Sequence, residues 1–174
     1  MKTCERAATE GLPIFLFGGS EQLQKALREK LLERIPKLQI AGGQASKFRQ
    51  LEPEERDQTV AHIRASGAAI TFVGLGCPRQ EVWAYELRDS LSMPILAVGA
   101  AFNFHAGLLR QAPRWMQMAG LEWSYRLVAE PSRLWRRYLL LNPLFASMLV
   151  LQAIRPGTFH PGHTVEPKQE FLYG

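Results

Sequence analysis

Arg126, Arg133 and Arg137 are spaced seven and four residues apart, with Arg136 beside the last of them. On a continuous helix that spacing puts them on one face. Guanidinium is a natural clamp for pyrophosphate, because its planar fork donates two hydrogen bonds and keeps its charge. A solvated basic face is the plain alternative. Upstream, Gly74 to Glu81 reads GLGCPRQE. Gln80 follows the glycine loop at an expected helix N-terminus, where its amide can donate to a sugar hydroxyl or a phosphate oxygen while Glu81 favours the helix dipole. Cys77 shares that loop but has no visible base partner, so it reads as a small packing residue rather than a nucleophile. His105, two residues beyond Asn103, is a candidate proton acceptor set against an ordinary structural histidine. His160 and His163 have helical metal-ligand spacing, yet the surrounding Pro and Gly oppose a helix, and no metal is expected.

Trp123, Tyr125, Trp135 and Tyr138 interleave with the arginines. Such rings suit a membrane-interface belt, where ring and charge each find a suitable solvent, and they equally suit a core. The net charge of +5 and pI near 9.5 favour an anionic partner: a phosphorylated substrate, an acidic membrane surface or nucleic acid. Five arginines and one acid, Glu130, lie between Arg126 and Arg155. No motif supports the nucleic-acid reading. Two cysteines, Cys4 and Cys77, make no disulfide framework and fit a reducing compartment. MKTCERAATEG lacks the apolar stretch of a signal peptide, and no apolar run reaches the ~20 residues of a spanning helix.

These residues need elements to hold them. Leu12–Phe17, Leu38–Ala41, Ala68–Val73 and Pro94–Val98 are apolar runs of strand length. Between them lie helical patterns: one capped by Ser20 with Leu23, Leu27, Leu31 and Ile35 and stopped by Pro36, one from Pro53 to Ala65, and one from Arg79 to Leu91. Alternation of this kind implies an α/β fold, a parallel sheet of about four strands with helices on both faces. Gly18-Gly19-Ser20, Gly42-Gly43-Gln44, Gly74–Gln80 and Gly99–Asn103 then read as glycine-containing loops after the strands. In open α/β sheets the ligand sits outside the carboxyl ends of the strands, where glycine lets backbone approach a phosphate. Each loop alone is ordinary turn chemistry. Four on one edge indicate a site for a nucleotide diphosphate, although none is a GxGxxG or a P-loop.

From Ala112 the pattern becomes helical, with breaks at Gly120, Pro131 and Asn142-Pro143. Leu144–Ile154 is nearly all apolar and too short to cross a bilayer; it packs on the domain, forms a homo-oligomer or lies in a membrane interface. The expected organisation is a disordered start (1–11), an α/β domain (12–120), an arginine-rich helical appendage (121–155) and a disordered tail (156–174).

Gly99–Tyr138, GAAFNFHAGLLRQAPRWMQMAGLEWSYRLVAEPSRLWRRY, together with Gly74, Gly76, Pro78, Gln80 and Glu81, resembles the WecG/TagA/CpsF family of bacterial glycosyltransferases. Phe102, Ala106, Gly107, Ala112, Pro113, Trp115, Leu121, Glu122, Trp123, Arg126, Leu127, Glu130, Pro131, Arg133, Arg137 and Tyr138 carry the match. The resemblance implies a Rossmann-like sheet and inverting transfer of an N-acetylmannosamine-type hexosyl group from a UDP-sugar to a polyprenyl-pyrophosphate-linked sugar. It further implies cell-surface polysaccharide assembly by a cytoplasmic protein at the inner membrane face, without metal or cofactor. Gly18, Gly19, Phe48, Gly74, Gly76, Gln80 and Asn103 would line the donor pocket, and Arg126, Arg133, Arg136 and Arg137 would hold the acceptor pyrophosphate. Asn103 stands where relatives carry Asp. The family's proposed base, an aspartate, belongs to a segment before the first strand, and nothing in Met1–Gly11 matches it. Three readings follow: a C-terminal portion of a longer enzyme, a chain that works with a partner, or a nucleotide-sugar-binding or membrane-docking module without catalysis.

Overall fold

The computed structural model describes residues 1–49, 51–109, 112–129, 131–136, 138–139 and 142–154. The chain divides into two compact units, an α/β unit over Met1–Arg110 and a helical unit that begins at Gln111.

In the α/β unit, four strands alternate with helices: β1 (Ile14–Gly18), α2 (Glu21–Arg34), β2 (Ile40–Gln44), α3 (Pro53–Ala65), β3 (Ile70–Gly74), α4 (Arg79–Leu87), β4 (Ile95–Ala97) and α5 (Ala101–His105), preceded by α1 (Lys2–Glu10). All pairs are parallel and the order is β2-β1-β3-β4. Period-2 alternation divides the core. Ile14, Leu16 and Phe72 face α1, α2 and α5 through Cys4, Ala7, Leu23, Leu27 and Phe102. Phe15, Phe17 and Val73 face α3 and α4 through Ile63, Trp83 and Leu87. The chain winds from β1 outward to β2, then back across to β3 and on to β4, so the direction of winding reverses between β1 and β3. That reversal is the topological switch point of a doubly wound sheet.

Local signals account for the helix ends. Ser20 caps α2 by accepting from the Leu23 N–H at 3.2 Å. Proline at the first position opens α3. Leu91, expected inside α4, lies in the turn after it; its N–H donates to Leu87 O at 2.8 Å, which brings a fully buried leucine back onto the core.

Further expectations change. The start of the chain is ordered: Cys4 and Ala7, three apart on α1, bury against the first core cluster, and Gly11 ends the helix in the left-handed conformation at φ +66°. The pair Gly42-Gly43 belongs to β2 rather than to a loop after it. A Cβ on Gly42 would stand 2.6 Å from the Phe15 ring, and one on Gly43 would stand 2.8 Å from Gln24 Oε1. Close packing against β1 and α2 selects glycine there.

The helical unit contains α6 (Arg114–Met118), α7 (Glu122–Ala129), α8 (Pro131–Arg136) and α9 (Asn142–Ile154). The Leu121 N–H donates to Met116 O at 2.8 Å and ties α6 to α7, which puts α6 in this unit and the boundary near 110 instead of 120. Trp123 and Tyr138 rings meet at 5.9 Å. Phe145, Leu149, Val150 and Ile154 on α9 are each more than half exposed. Among the described residues no helix is long and apolar enough to cross a membrane. The expected tail 156–174, with His160 and His163, lies outside the described residues.

Candidate functional site at the carboxyl edge of the sheet

The strand ends at the switch point are two glycines in register, Gly18 opposite Gly74. Their packing explains their identity. A Cβ on Gly18, at φ +111°, would meet Gly74 O at 2.7 Å and Gly74 C at 2.8 Å, and a Cβ on Gly74 would overlap the Phe102 ring. Beyond Gly74 the chain turns through Gly76, at φ +84° with open space around its α-carbon, and a cis Cys77–Pro78 peptide into α4. Of the glycines expected to approach a phosphate, Gly76 is the one with room for a ligand beside it. Gly19 faces the neighbouring loop, its carbonyl accepting from the Ser46 N–H at 2.8 Å.

Gln80 sits in the first turn of α4 and is buried. Its Nε2 donates to Glu81 Oε1 at 2.9 Å, and its Oε1 has no donor among the described residues. That oxygen is 3.0 Å from the position of a Cβ on Gly99, in the turn after β4. Gln80 therefore packs against the turn after β4, and its backbone N–H donates to Gly76 O in the loop after β3 at 3.0 Å. Asn103 lies on α5, next to the Phe102 ring that covers Gly74, and its carbonyl accepts from Leu108 and Leu109. The structure thus brings Gly18 against Gly74 and Gln80 against Gly99 at the β1, β3 and β4 ends, while Asn103 lies on α5, which packs on the sheet face opposite α4. Phe48 stands apart on the β2 side, exposed, at φ +55°, with its N–H on Ser46 Oγ at 3.0 Å. Cys77 is exposed, not packed.

His105 is placed at the far end of α5. Burial first, then the Met1 amino group and Arg34 at the end of α2, push its pKa below the ordinary histidine value. Since α2 starts at the carboxyl edge and runs back along the sheet, Arg34 marks the opposite edge.

One feature of this edge escapes the sequence. A cavity of about 80 Å³ lies between the loop after β2 and α4, lined among others by Phe17, Lys47, Arg49, Arg56, Arg79 and Trp83. Phe17 and Trp83 stack at 4.4 Å with a 19° tilt, and the buried Trp83 Nε1 has no acceptor among the described residues. Glu55 braces the rim: Arg49 binds it at 2.7 Å through two nitrogens, Lys47 joins them, and the Glu52 N–H donates at 3.0 Å. The Arg49 contact first, then Lys47, hold the Glu55 carboxyl far below the usual carboxylate range. Arg56 bridges α3 to α4, donating to Glu86 O at 2.9 Å. GGQASKFR and CPRQ supply three of these cations; their convergence on one cavity needs the fold.

In the helical unit, Arg126 pairs with Glu122 one turn back at 3.0 Å. Arg133 and Arg136 lie on α8, but their side chains, and all of Arg137, are outside the described residues. Among the described residues no three His, Cys, Asp or Glu side chains come together to hold a metal ion.

An open parallel sheet whose winding reverses between β1 and β3 defines the doubly wound class of α/β domains. The family described as "Glycosyl transferase WecG/TagA/CpsF family" matches residues 1–158, and the chain belongs to it.

Proposed function

We propose that this chain binds a UDP-sugar at the carboxyl edge of the sheet and takes part in inverting transfer of an N-acetylmannosamine-type hexosyl group to a polyprenyl-pyrophosphate-linked sugar, in cell-surface polysaccharide assembly. The observation that carries this reading is the buried Gln80 at the start of α4, whose backbone N–H donates to Gly76 O at 3.0 Å and whose Oε1 has no donor among the described residues, beside the open Gly76 turn after β3 in a domain of glycosyltransferase family. The diphosphate lies over the loop after β3, where Gly76 leaves the backbone accessible, and Gln80 Oε1 accepts from a ligand hydroxyl. In the transfer, the acceptor hydroxyl loses its proton to a base as its oxygen attacks the anomeric carbon; the bond from that carbon to the diphosphate breaks, and UDP leaves with the electron pair. Cationic side chains stabilise the negative charge that develops on UDP. Arg126, Arg133, Arg136 and Arg137 are assigned to the acceptor pyrophosphate, with the exposed apolar residues of α9 supporting contact with an anionic membrane surface at the cytoplasmic face.

The position of His105, the last residue of α5 on the sheet face opposite α4, favours a second reading: a nucleotide-sugar-binding module whose catalytic base comes from elsewhere. A transfer assay separates the two. The full chain is incubated with a radiolabelled UDP-N-acetylhexosamine and vesicles carrying a polyprenyl-pyrophosphate sugar. Label extracted with the lipid supports the transferase; UDP-sugar binding with no labelled lipid supports the module.

A further inference from the structure

Gln24, in the first turns of α2, is buried at 7% exposure and spans two strands. Its Nε2 donates to Gly18 O at 2.6 Å and Leu16 O at 3.1 Å on β1, and reaches Gln44 O on β2 at 3.4 Å. Its Oε1 has no donor among the described residues, and the missing Cβ of Gly43 leaves the space it fills, 2.8 Å away. An orphan buried carbonyl is unfavourable, and an apolar side chain on α2 would avoid it. What the amide supplies is the pair of N–H groups on carbonyls at the strand ends. The same region is pinned on the opposite face of the sheet. Gln44 Nε2 donates to Thr59 Oγ1 at 3.0 Å, Gln44 Oε1 lies 3.2 Å from His62 Nδ1, and Ser46 N–H donates to Gly19 O at 2.8 Å.

We propose that Gln24 is a positioning residue for nucleotide binding: its carboxamide holds the carboxyl ends of β1 and β2 at the separation that sets the Gly18-Gly19 turn against the loop carrying Ser46 and Lys47. Its reach to the ligand is indirect. The Gly18 carbonyl fixes the turn, Gly19 fixes Ser46, and Ser46 and Lys47 line the cavity beside α4. The link to the nucleotide rests on the proposed function; the staple between the strands does not.

The test uses the full chain with Gln24→Met, similar in size and without N–H groups, and Gln24→Ala, which admits water to the carbonyls. Leu27→Val, in the core on the same helix, is the control for lost stability. Two readouts are taken: hydrogen exchange at the Ser46 amide relative to the Val73 amide, and the Kd for UDP by calorimetry. The expected result is Ser46 exchange accelerated about tenfold and UDP affinity weakened about tenfold in either Gln24 variant, with neither change in Leu27→Val. Unchanged Ser46 exchange in the variants, or equal acceleration in Leu27→Val, overturns the staple. Accelerated Ser46 exchange with UDP affinity at the wild-type value overturns the positioning role. If the wild-type chain binds no UDP while Ser46 responds as expected, the staple stands and the proposed function fails.

Discussion

Gly18→Ala is the substitution that most sharply separates packing from ligand approach at the switch point. The added methyl meets three obstacles: a φ of +111°, the Gly74 carbonyl at 2.7 and 2.8 Å, and the Gly74 nitrogen at 3.1 Å. All three atoms are backbone of the central strand β3, so no side chain can rotate away. The strained conformation costs about 1–3 kcal/mol and the overlap about 1–3 more, so a loss of roughly 2–6 kcal/mol is expected. Gly67→Ala calibrates it. Gly67 has φ +70° and nothing within 4 Å, so only the left-handed penalty of about 1–2 kcal/mol applies. Both variants share the backbone penalty, so urea unfolding followed by circular dichroism should place Gly18→Ala below Gly67→Ala by the overlap cost, about 1–3 kcal/mol, with no ligand present. Equal losses would refute the packing account and return Gly18 to the role of ligand-facing glycine.

Ser20→Ala removes the cap on the Leu23 N–H and should cost about 1 kcal/mol in the same assay, while Ser90→Ala, in the turn after α4, should stay within about half of that. His105 has a pKa lowered in the fold, so the unfolded chain takes up its proton first as acidity rises. The associated stability is complete above the ordinary histidine value of 6.5 and is lost as pH falls from there through the folded value. His105→Gln should flatten the fall in thermal midpoint over that window; an unchanged slope would show that another group carries it. For α9, Phe145→Asp with Leu149→Asp alters exposed positions. It should leave the thermal midpoint in place and reduce sedimentation with anionic liposomes, and undiminished sedimentation would put the membrane contact elsewhere.

The α/β alternation was legible because each strand is a short apolar run and each helix has its own punctuation. Pro53 and Ala65 bound α3 as read, and Ser20 caps α2. The parallel order follows from the connections. What sequence could not supply was the reason for each glycine. Gly18, Gly42, Gly43 and Gly74 look like loop chemistry in a linear chain, yet each is fitted against a residue remote in sequence: Gly74, Phe15, Gln24 and Phe102 respectively. For the same reason α1 was unreadable. Its apolar face is only Cys4 and Ala7, too small to show a period, and it is recognisable once the cluster around Ile14 and Leu16 exists to receive it. At the carboxyl edge, Gln80 at a helix N-terminus and Gly76 in the turn after β3 were readable from the pattern. The Trp83 cavity was not, because its lining comes from four separate stretches of chain.

The central claim is a nucleotide site for UDP at the carboxyl edge of the sheet. Calorimetric titration of the full chain with UDP, with ATP as control, tests it most directly. The account predicts saturable binding of UDP at one site and no comparable heat from ATP. No binding by a folded chain, or equal binding of both nucleotides, would contradict it.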